Sequence, residues 1–420
     1  MTEFGDFSKT ISDGPFQLTY MNFDEAQYTA QLEKKRQMMA NDLSLNVEIE
    51  TFTSPSKNFR NRVKFGVVGG GGNSAGRVQY VMWEYGKPTV EIESFPIACS
   101  LINEAMRHLR EYLNCPLQMT NTALSQVKSV NFLSTTTKKS LVVALIYEKQ
   151  LDELHWPIEA GKLQGMLMGV LGISDISVIG KARKQKLLVG NGWVIESFTL
   201  SNGRNVMYKQ VEDGFSNPNG FVNKHSLNWL CSVVNDIDFS MQSQSTSSST
   251  QCNTAYDILE LYCGNGNHTV AISAFAKRIV AVELNKSLCD AAIENLRMNG
   301  VGNVRIVHCD SEKFSNRILR SKTFVEMDDK GDEIKYNFST VLVDPPRAGL
   351  DGKTRALVAG FRDIIYISCN PEALRRDLEE LLQDHDIKRF AVFDHFAYTD
   401  HLECGCYLRR KESKLKVGSS

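Results

Sequence analysis

The chain has 420 residues, 42% of them apolar and 23% charged, which is the make-up of an ordinary globular protein and excludes a disordered, collagenous or coiled-coil one. A length of this order implies about two or three domains, and no apolar run approaches the ~18 residues that a membrane span needs. The formal net charge of −1 argues against a nucleic-acid partner, yet residues 51–186 carry 17 basic against 10 acidic groups. A basic middle between acidic flanks hints at a polyanion-binding face, although a solvated surface accounts for the same charges.

The N-terminus, Met1 to Asp6, is acidic and carries neither a secretory nor a transit pattern. Ten cysteines are spread along the chain without a Cys-x-x-Cys pair. No zinc or iron–sulfur centre is therefore expected, and so many free thiols point to a reducing compartment, the cytosol by default with an organelle left open. Asp24 to Met39 reads as an amphipathic helix, with Tyr28, Leu32, Met38 and Met39 set among Gln, Glu and Lys. From Val47 to Leu200 short β-rich runs recur: Arg62–Val68, Val78–Glu84, Leu141–Glu148, Ile176–Ile179, Lys186–Val189 and Trp193–Ser197. One helical stretch, Ser100–Leu113, interrupts them, which predicts an α+β domain with an antiparallel sheet and a helix on one face. Residues 69–72 form a glycine-rich loop, and the polar low-complexity segment 240–251 reads as a disordered one.

Beyond it the pattern alternates. Strands are expected at Asp257–Tyr262, Arg278–Leu284, Val304–His308, Thr340–Asp344, Ile364–Ser368, Arg389–Phe393 and Cys404–Leu408. Helices fall before Ala276, over Leu288–Asn299 and over Glu372–Gln383, with a charged excursion at Glu312–Phe338. This predicts an α/β, doubly wound, mostly parallel sheet whose ligands sit beyond the carboxyl ends of its strands. The domain division expected is 1–200 and 201–420.

Five motifs fall at those strand ends. In Leu259–Asn267 (LELYCGNGN) a buried strand runs into a Gly264-x-Gly266 turn that opens a helix, where a ligand can approach the backbone closely. Thr269 stands where a dinucleotide fingerprint has its third glycine, and a tight turn with no ligand reads the same. Glu283, at the end of the next strand, suits the hydroxyls of a ribose, or is a plain solvated strand-end acid. Asp344-Pro345-Pro346 favours a methyltransferase over a dehydrogenase, and Arg347, where an aromatic would serve amine methylation, disfavours an amine target. Cys369 lies between a strand and a helix whose N-cap is Asn370 and whose first residue is Pro371. A thiol there is expected to have a lowered pKa and to be a nucleophile, the other nine cysteines being small buried residues. Glu403, in the last sheet connection, is a candidate general base, as is His401, though a histidine beside a strand is commonly structural.

LELYCGNGN, LVDPPRAGLD, YISCNPE and HLECG, in this order, resemble the RNA uracil-5-methyltransferase family, most closely its tRNA-modifying branch. The resemblance covers Phe23–Met39, Ser54–Phe65, Glu93–Ile102, Leu141–Asp152, Ile179–Lys186, Tyr208–Asn219 and nearly all of Asp257 to Leu408 outside the excursion. The OB-type domain and cysteine cluster of the sister ribosomal RNA enzymes are not visible. The resemblance implies an S-adenosylmethionine-dependent Rossmann-like methyltransferase domain preceded by an antiparallel α+β RNA-binding domain. It implies C5-methylation of the T-loop uridine of tRNA to ribothymidine, with the base flipped out of its stack. Cys369 would add to uracil C6 and Glu403 would remove the C5 proton. Asn217, Tyr262, Gly264, Asn267, Glu283 and Asp344 would hold the methyl donor, with Asp344 on the uracil as the alternative. Arg60, Arg62, Lys64, Lys181, Arg183 and Phe215 would meet the RNA. Asn217 stands where the family has glutamine, and Ala397 where it has proline. The competing readings are uracil methylation of rRNA or tmRNA, a non-catalytic tRNA-folding chaperone, and a nicotinamide oxidoreductase. No metal, membrane or obligate protein partner is expected.

Overall fold

The computed structural model describes residues 25–43, 46–69, 77–83, 89–115, 123–214, 216–242, 256–327 and 333–412. Its elements run α1 (Glu25–Leu43), β1 (Ile49–Phe52), β2 (Arg62–Val68), β3 (Gln79–Met82), β4 (Val90–Ile92), α2 (Ser100–Leu113), β5 (Val127–Ser134) and β6 (Ser140–Tyr147). Then come α3 (His155–Leu171), β7 (Asp175–Ala182), β8 (Gln185–Val189), β9 (Trp193–Thr199), β10 (Asn205–Val211), α4 (Gly220–Gln242), β11 (Asp257–Leu261) and α5 (Asn267–Ile272). The remainder is β12 (Arg278–Glu283), α6 (Lys286–Met298), β13 (Val304–His308), α7 (Ser311–Ser321), β14 (Phe324–Met327), β15 (Glu333–Tyr336) and β16 (Phe338–Val343). It ends with α8 (Gly352–Val358), β17 (Asp363–Ser368), α9 (Pro371–Leu381), β18 (His385–Phe393) and β19 (Glu403–Arg410). No helix among the described residues is long and apolar enough to cross a membrane.

The backbone sorts into two compact units that interleave along the chain. Among the described residues, the first holds Glu25–Tyr28 and those of Pro55–Ser197 and Lys209–Phe221; the second holds those of Thr29–Ser54, Phe198–Tyr208 and the part from Val222 on. In the first, a sheet of order β4-β3-β2-β5-β6-β7-β8 is antiparallel throughout except at β6·β7. The buried positions of α2, Leu101, Ile102, Ala105, Met106, Leu109 and Leu113, recur every three or four residues. Tyr80 Oη on β3 donates to Met106 O at 3.0 Å, and Phe65, Tyr80 and Phe132 meet at 5.6–6.3 Å between ring centroids.

The parallel β6·β7 pair corrects the expectation of an antiparallel sheet. A parallel pair needs a crossover, and α3 supplies it. That helix escapes a propensity reading because Gly161, Gly165 and Gly169 interrupt it, at about 1 kcal/mol each relative to alanine. Burial compensates: Ala160, Leu163, Leu167 and Trp156 are all fully buried, and the Trp156 indole N–H donates to Tyr147 Oη at 3.2 Å. Gly180 of β7 lies so close beneath the indole that a Cβ there would come within 2.5 Å of it.

The second unit is built on a sheet of order β1-β18-β19-β17-β16-β11-β12-β13. All pairs are parallel except those of β19, which is wedged antiparallel between β17 and β18. Leu259 and Leu261 of β11 face one apolar layer with Val280, Val341, Ile364, Phe314 and Leu374. Ile258 faces the other, with Ile279, Leu342, Ile365 and the α4 residues Val222, Trp229, Leu230 and Val233. Two buried layers make the doubly wound α/β sheet. The excursion at 312–338 resolves into most of α7 and the β14·β15 hairpin. The loop at 240–251 starts inside α4, which runs to Gln242; its remainder, like 70–72, lies outside the described residues.

The expected division at 200/201 is not where the units part. From Thr29 on, α1 and β1 belong with the second unit. β1 pairs in parallel with β18, Ile49 opposite Phe390. Glu50 accepts two bonds from Arg389, at 2.9 and 2.8 Å, and one from the Trp229 indole at 2.9 Å. Lys35 Nζ donates to Asp394 at 2.8 Å and to His401 O at 3.0 Å. Glu50→Ala should cost about 1–3 kcal/mol in a urea unfolding curve, the usual worth of charged hydrogen bonds at partial exposure. An unchanged midpoint would mean that β1 adds nothing to this sheet.

Candidate active site

The carboxyl ends of β11, β12, β16 and β17 and the start of β19 gather the motif residues of the second unit. The turn after β11 is left-handed at Tyr262 (φ 63°), Gly264 (φ 56°) and Gly266 (φ 77°). A tyrosine at positive φ is costly and is held there by its surroundings. Burial raises its phenol to about 12. Glu283 is not a loosely solvated acid. One carboxylate oxygen accepts from Gly264 N at 3.0 Å and the other from Asn285 N at 2.7 Å, so the group is aimed by the backbone. Asn267 exchanges two amide bonds with Asn223, at 2.9 and 3.1 Å.

Glu260 was passed over in the sequence beyond its place in the motif. It is 1% exposed on the central strand, and neither carboxylate oxygen has a hydrogen-bond partner. Burial pushes its carboxyl up to about 8; the Thr269 hydroxyl is near enough to pull it down somewhat but not in bonding geometry. An acid set between Leu259 and Leu261 in a fully buried strand was the signal available. Asp344 keeps 39% of its side chain open, yet lies deep enough that burial holds its carboxyl far above the usual range. His268 Nδ1 is 3.8 Å from it, and burial pushes that imidazole down to about 4, so it stands neutral beside the acid.

Cys369 follows β17, and Asn370 caps α9, its side chain accepting from Glu372 N at 3.2 Å while its amide donates to Arg347 O at 2.8 Å. The thiol opens on a cleft of about 320 Å³ lined also by Met38, Arg347, Asp400, His401 and Leu402. Its pKa is raised, against expectation: burial leads, Asp344 and Glu403 add to it, and Arg347 opposes them. Two carboxylates that other strands deliver to the same place, together with burial, outweigh the helix terminus. Alkylation of Cys369, followed by peptide mass spectrometry, should therefore still accelerate with pH above 9; half-maximal reactivity below pH 8 would contradict this. Glu403, the first residue of β19, has a side chain 15% exposed, and burial and then Asp344 hold its carboxyl well up. Of the other cysteines six are buried, Cys115 and Cys309 are partly open, and Cys252 lies outside the described residues.

The remaining candidates belong to the first unit. The Arg62 guanidinium donates to Glu212 O (2.6 Å), Val211 O (2.8 Å) and Ser216 Oγ (2.9 Å). Lys181 pairs with Glu212 and Asp213, and Lys186 with Asp213 at 2.9 Å. These cations hold Val211–Asp213 and Ser216. Arg60 Nε donates to Arg62 O at 3.0 Å. Lys64 is exposed on β2, and Arg183 is exposed in the β7–β8 turn. Asn217 Oδ1 accepts from Asn219 N at 3.1 Å, and Phe215 lies outside the described residues.

The family model described as tRNA (Uracil-5-)-methyltransferase matches residues 27–411. A curated relative from Aromatoleum aromaticum, a tRNA/tmRNA (uracil-C(5))-methyltransferase, is 37% identical over 392 residues, 92% of this chain and 97% of its own. One of the same name from Colwellia psychrerythraea is 37% identical over 388 residues, 91% and 98% of the two chains. Among solved structures, the Pyrococcus abyssi tRNA (uracil-54, C5)-methyltransferase in complex with S-adenosyl-L-homocysteine matches with a TM-score of 0.62 at 18% identity. That match covers 91% of this chain and 83% of the other and is a likeness of fold.

Proposed function

The chain belongs to the tRNA (uracil-5-)-methyltransferase family, and from that premise we propose that it methylates C5 of the T-loop uridine of tRNA, through a covalent bond between Cys369 and uracil C6. The observation that carries this reading is that Cys369, after β17, and Glu403, at the start of the paired strand β19, stand at neighbouring strand ends close enough to Asp344 of the β16 end for the three groups to act on one another electrostatically. The residues beside it suit S-adenosyl-L-methionine. The backbone-aimed carboxylate of Glu283 fits the two ribose hydroxyls, the glycine turn admits close approach, and the orphaned oxygens of Glu260 fit a cationic end. Tyr262, Gly264, Asn267, Asp344 and Asn217 complete the proposed set, with the Asn217 amide one methylene shorter than the family's glutamine. The donor supplies an electrophilic methyl group.

The protein's own part is covalent and acid–base. Cys369 Sγ bonds to C6, and the C5=C6 electron pair moves towards C4=O, making C5 nucleophilic. Once C5 is methylated, Glu403 takes the C5 proton, the double bond re-forms and the C6–S bond breaks to return the thiolate. Because Glu403 is held well above an ordinary carboxylate, it is protonated and idle at low pH, so breakdown of the adduct should quicken as pH rises through neutrality. In the first unit Arg60, Lys64 and Arg183 are the proposed RNA contacts, with Phe215 as a stacking surface. Arg62 and Lys181 would act by ordering Val211–Asp213 and Ser216.

Incubation with labelled S-adenosylmethionine and unmodified tRNA, then nucleoside and position mapping, tests the reading. Label in 5-methyluridine of the T-loop is the expected result, with tRNA binding that weakens steeply as salt is raised. Label at another tRNA position, or label confined to rRNA or tmRNA when those RNAs are offered beside the tRNA, would overturn it.

A further inference from the structure

The reaction as described leaves one buried histidine beside the base unused. His395, in the turn after β18, is fully buried, and its Nε2 stands 3.6 Å from Glu403 Oε1. That is too long for a hydrogen bond but within ion-pair reach. The imidazole is fixed from several sides. Its ring sits near Phe393 and Phe396, at 6.5 and 6.4 Å between centroids, and its backbone N–H donates to Phe393 O at 3.0 Å. The preceding residue is pinned: Asp394 N donates to Phe52 O at 3.0 Å, and its carboxylate accepts from Lys35 at 2.8 Å.

Glu403 needs such a neighbour. From the sheet side it faces Asp344, Cys369 and the buried Cys404 thiol, groups that are neutral or negative and oppose its ionisation. The nearby lysine, Lys35, is committed to Asp394, and the exposed His401, whose imidazole is pushed down by partial desolvation and by Arg347 and Lys35, packs edge-on against Phe396 at 5.9 Å between ring centroids. Among the described residues no lysine or arginine pairs with Glu403. We infer that His395 is a positioning residue acting through Glu403, so that the Glu403–His395 pair, rather than Glu403 alone, receives the proton from uracil C5. The inference rests on the catalytic reading above. In proton terms, the C5–H bond breaks, Glu403 takes the proton and passes it to neutral His395, and an imidazolium–carboxylate pair remains. The proton leaves to water through the open edge of Glu403 once the product has gone.

Three variants, each given labelled S-adenosylmethionine and unmodified tRNA, test this by following the protein–RNA adduct on denaturing gels. His395→Phe keeps the aromatic packing and removes the proton site. It should form adduct within about threefold of the wild-type rate and break it down about tenfold more slowly at pH 7. Its acid limb for breakdown should move up by about one pH unit, a tenfold change in ionised fraction. His395→Gln, which keeps an N–H donor, should fall between. Wild-type breakdown with an unmoved acid limb would overturn the inference, as would equal loss of formation and breakdown in both variants, the mark of a packing role. Glu403→Gln should accumulate adduct; if it does not, the base assignment itself fails, separately from His395. Wild-type protein carrying labelled histidine gives a readout with residue 395 untouched. The titration of His395 should shift when Glu403→Gln is introduced, and an unmoved titration would also overturn the pairing.

Discussion

Cys369→Ala is expected to lower methyl transfer to tRNA by about 10⁴-fold or more while tRNA binding stays within a few-fold. Uracil C5 is a poor nucleophile until a group bonds to C6, so the variant loses the step that makes every later one possible, and no neighbour replaces it. Cys404 is fully buried in β19, and the Cys263 thiol is buried behind the β11 turn. Wild-type protein should form a gel-stable complex with RNA carrying 5-fluorouridine, because fluorine at C5 cannot leave as a proton, and Cys369→Ala should not. Wild-type methyl transfer by the variant would refute the nucleophile assignment. Loss of transfer with unchanged tRNA folding activity in cells would not rescue a purely chaperone reading, because transfer is what the wild type would then have been shown to do.

The second large effect is on stability. Asp377→Ala should cost about 3–5 kcal/mol, the usual consequence of stripping one partner from a buried ionic network. Asp377 is fully buried on α9 and accepts from Tyr366 Oη at 2.7 Å, Leu350 N at 2.8 Å, Arg355 at 3.0 Å and Arg376 at 2.9 Å. It thereby ties α8, β17 and the loop after Asp344-Pro345-Pro346 to the helix that begins just after Cys369. The fit is tight. Gly349 in that loop has φ 76°, and a Cβ there would stand 2.7 Å from the Asp377 carboxylate. A large fall in the urea midpoint is the check. Asp377→Asn, which can still accept from Tyr366 and Leu350, should lose clearly less. An alanine variant with the wild-type midpoint would show that these bonds contribute nothing net.

What the sequence disclosed tracks how local the physics is. Ser100–Leu113 was readable to the residue because its buried positions recur every three or four residues. The strand-end motifs were readable because glycine, proline and cap residues act on their immediate neighbours. The membership of α1 was hidden: Lys35 is anchored by Asp394, 359 positions away, and no periodicity reports such a partner. The thiol of Cys369 was misjudged for the same reason, since Asp344 and Glu403 reach it from other strands. Arg62 and Lys181 are plainly basic in the sequence; that one binds the Val211 and Glu212 carbonyls and the other the Glu212 and Asp213 carboxylates is tertiary information.

The pairing of β1 with β18 sets a timetable for synthesis. Glu50 leaves the ribosome early, yet Arg389, its partner, is 339 positions behind it. The first unit is complete once Phe221 has emerged and can fold during translation. The leading segment of the second unit must wait, its edge unpaired, until nearly the whole chain has been made. Early termination before β18 would therefore leave a folded first unit attached to an open sheet edge, the kind of surface that chaperones cover and proteases clear.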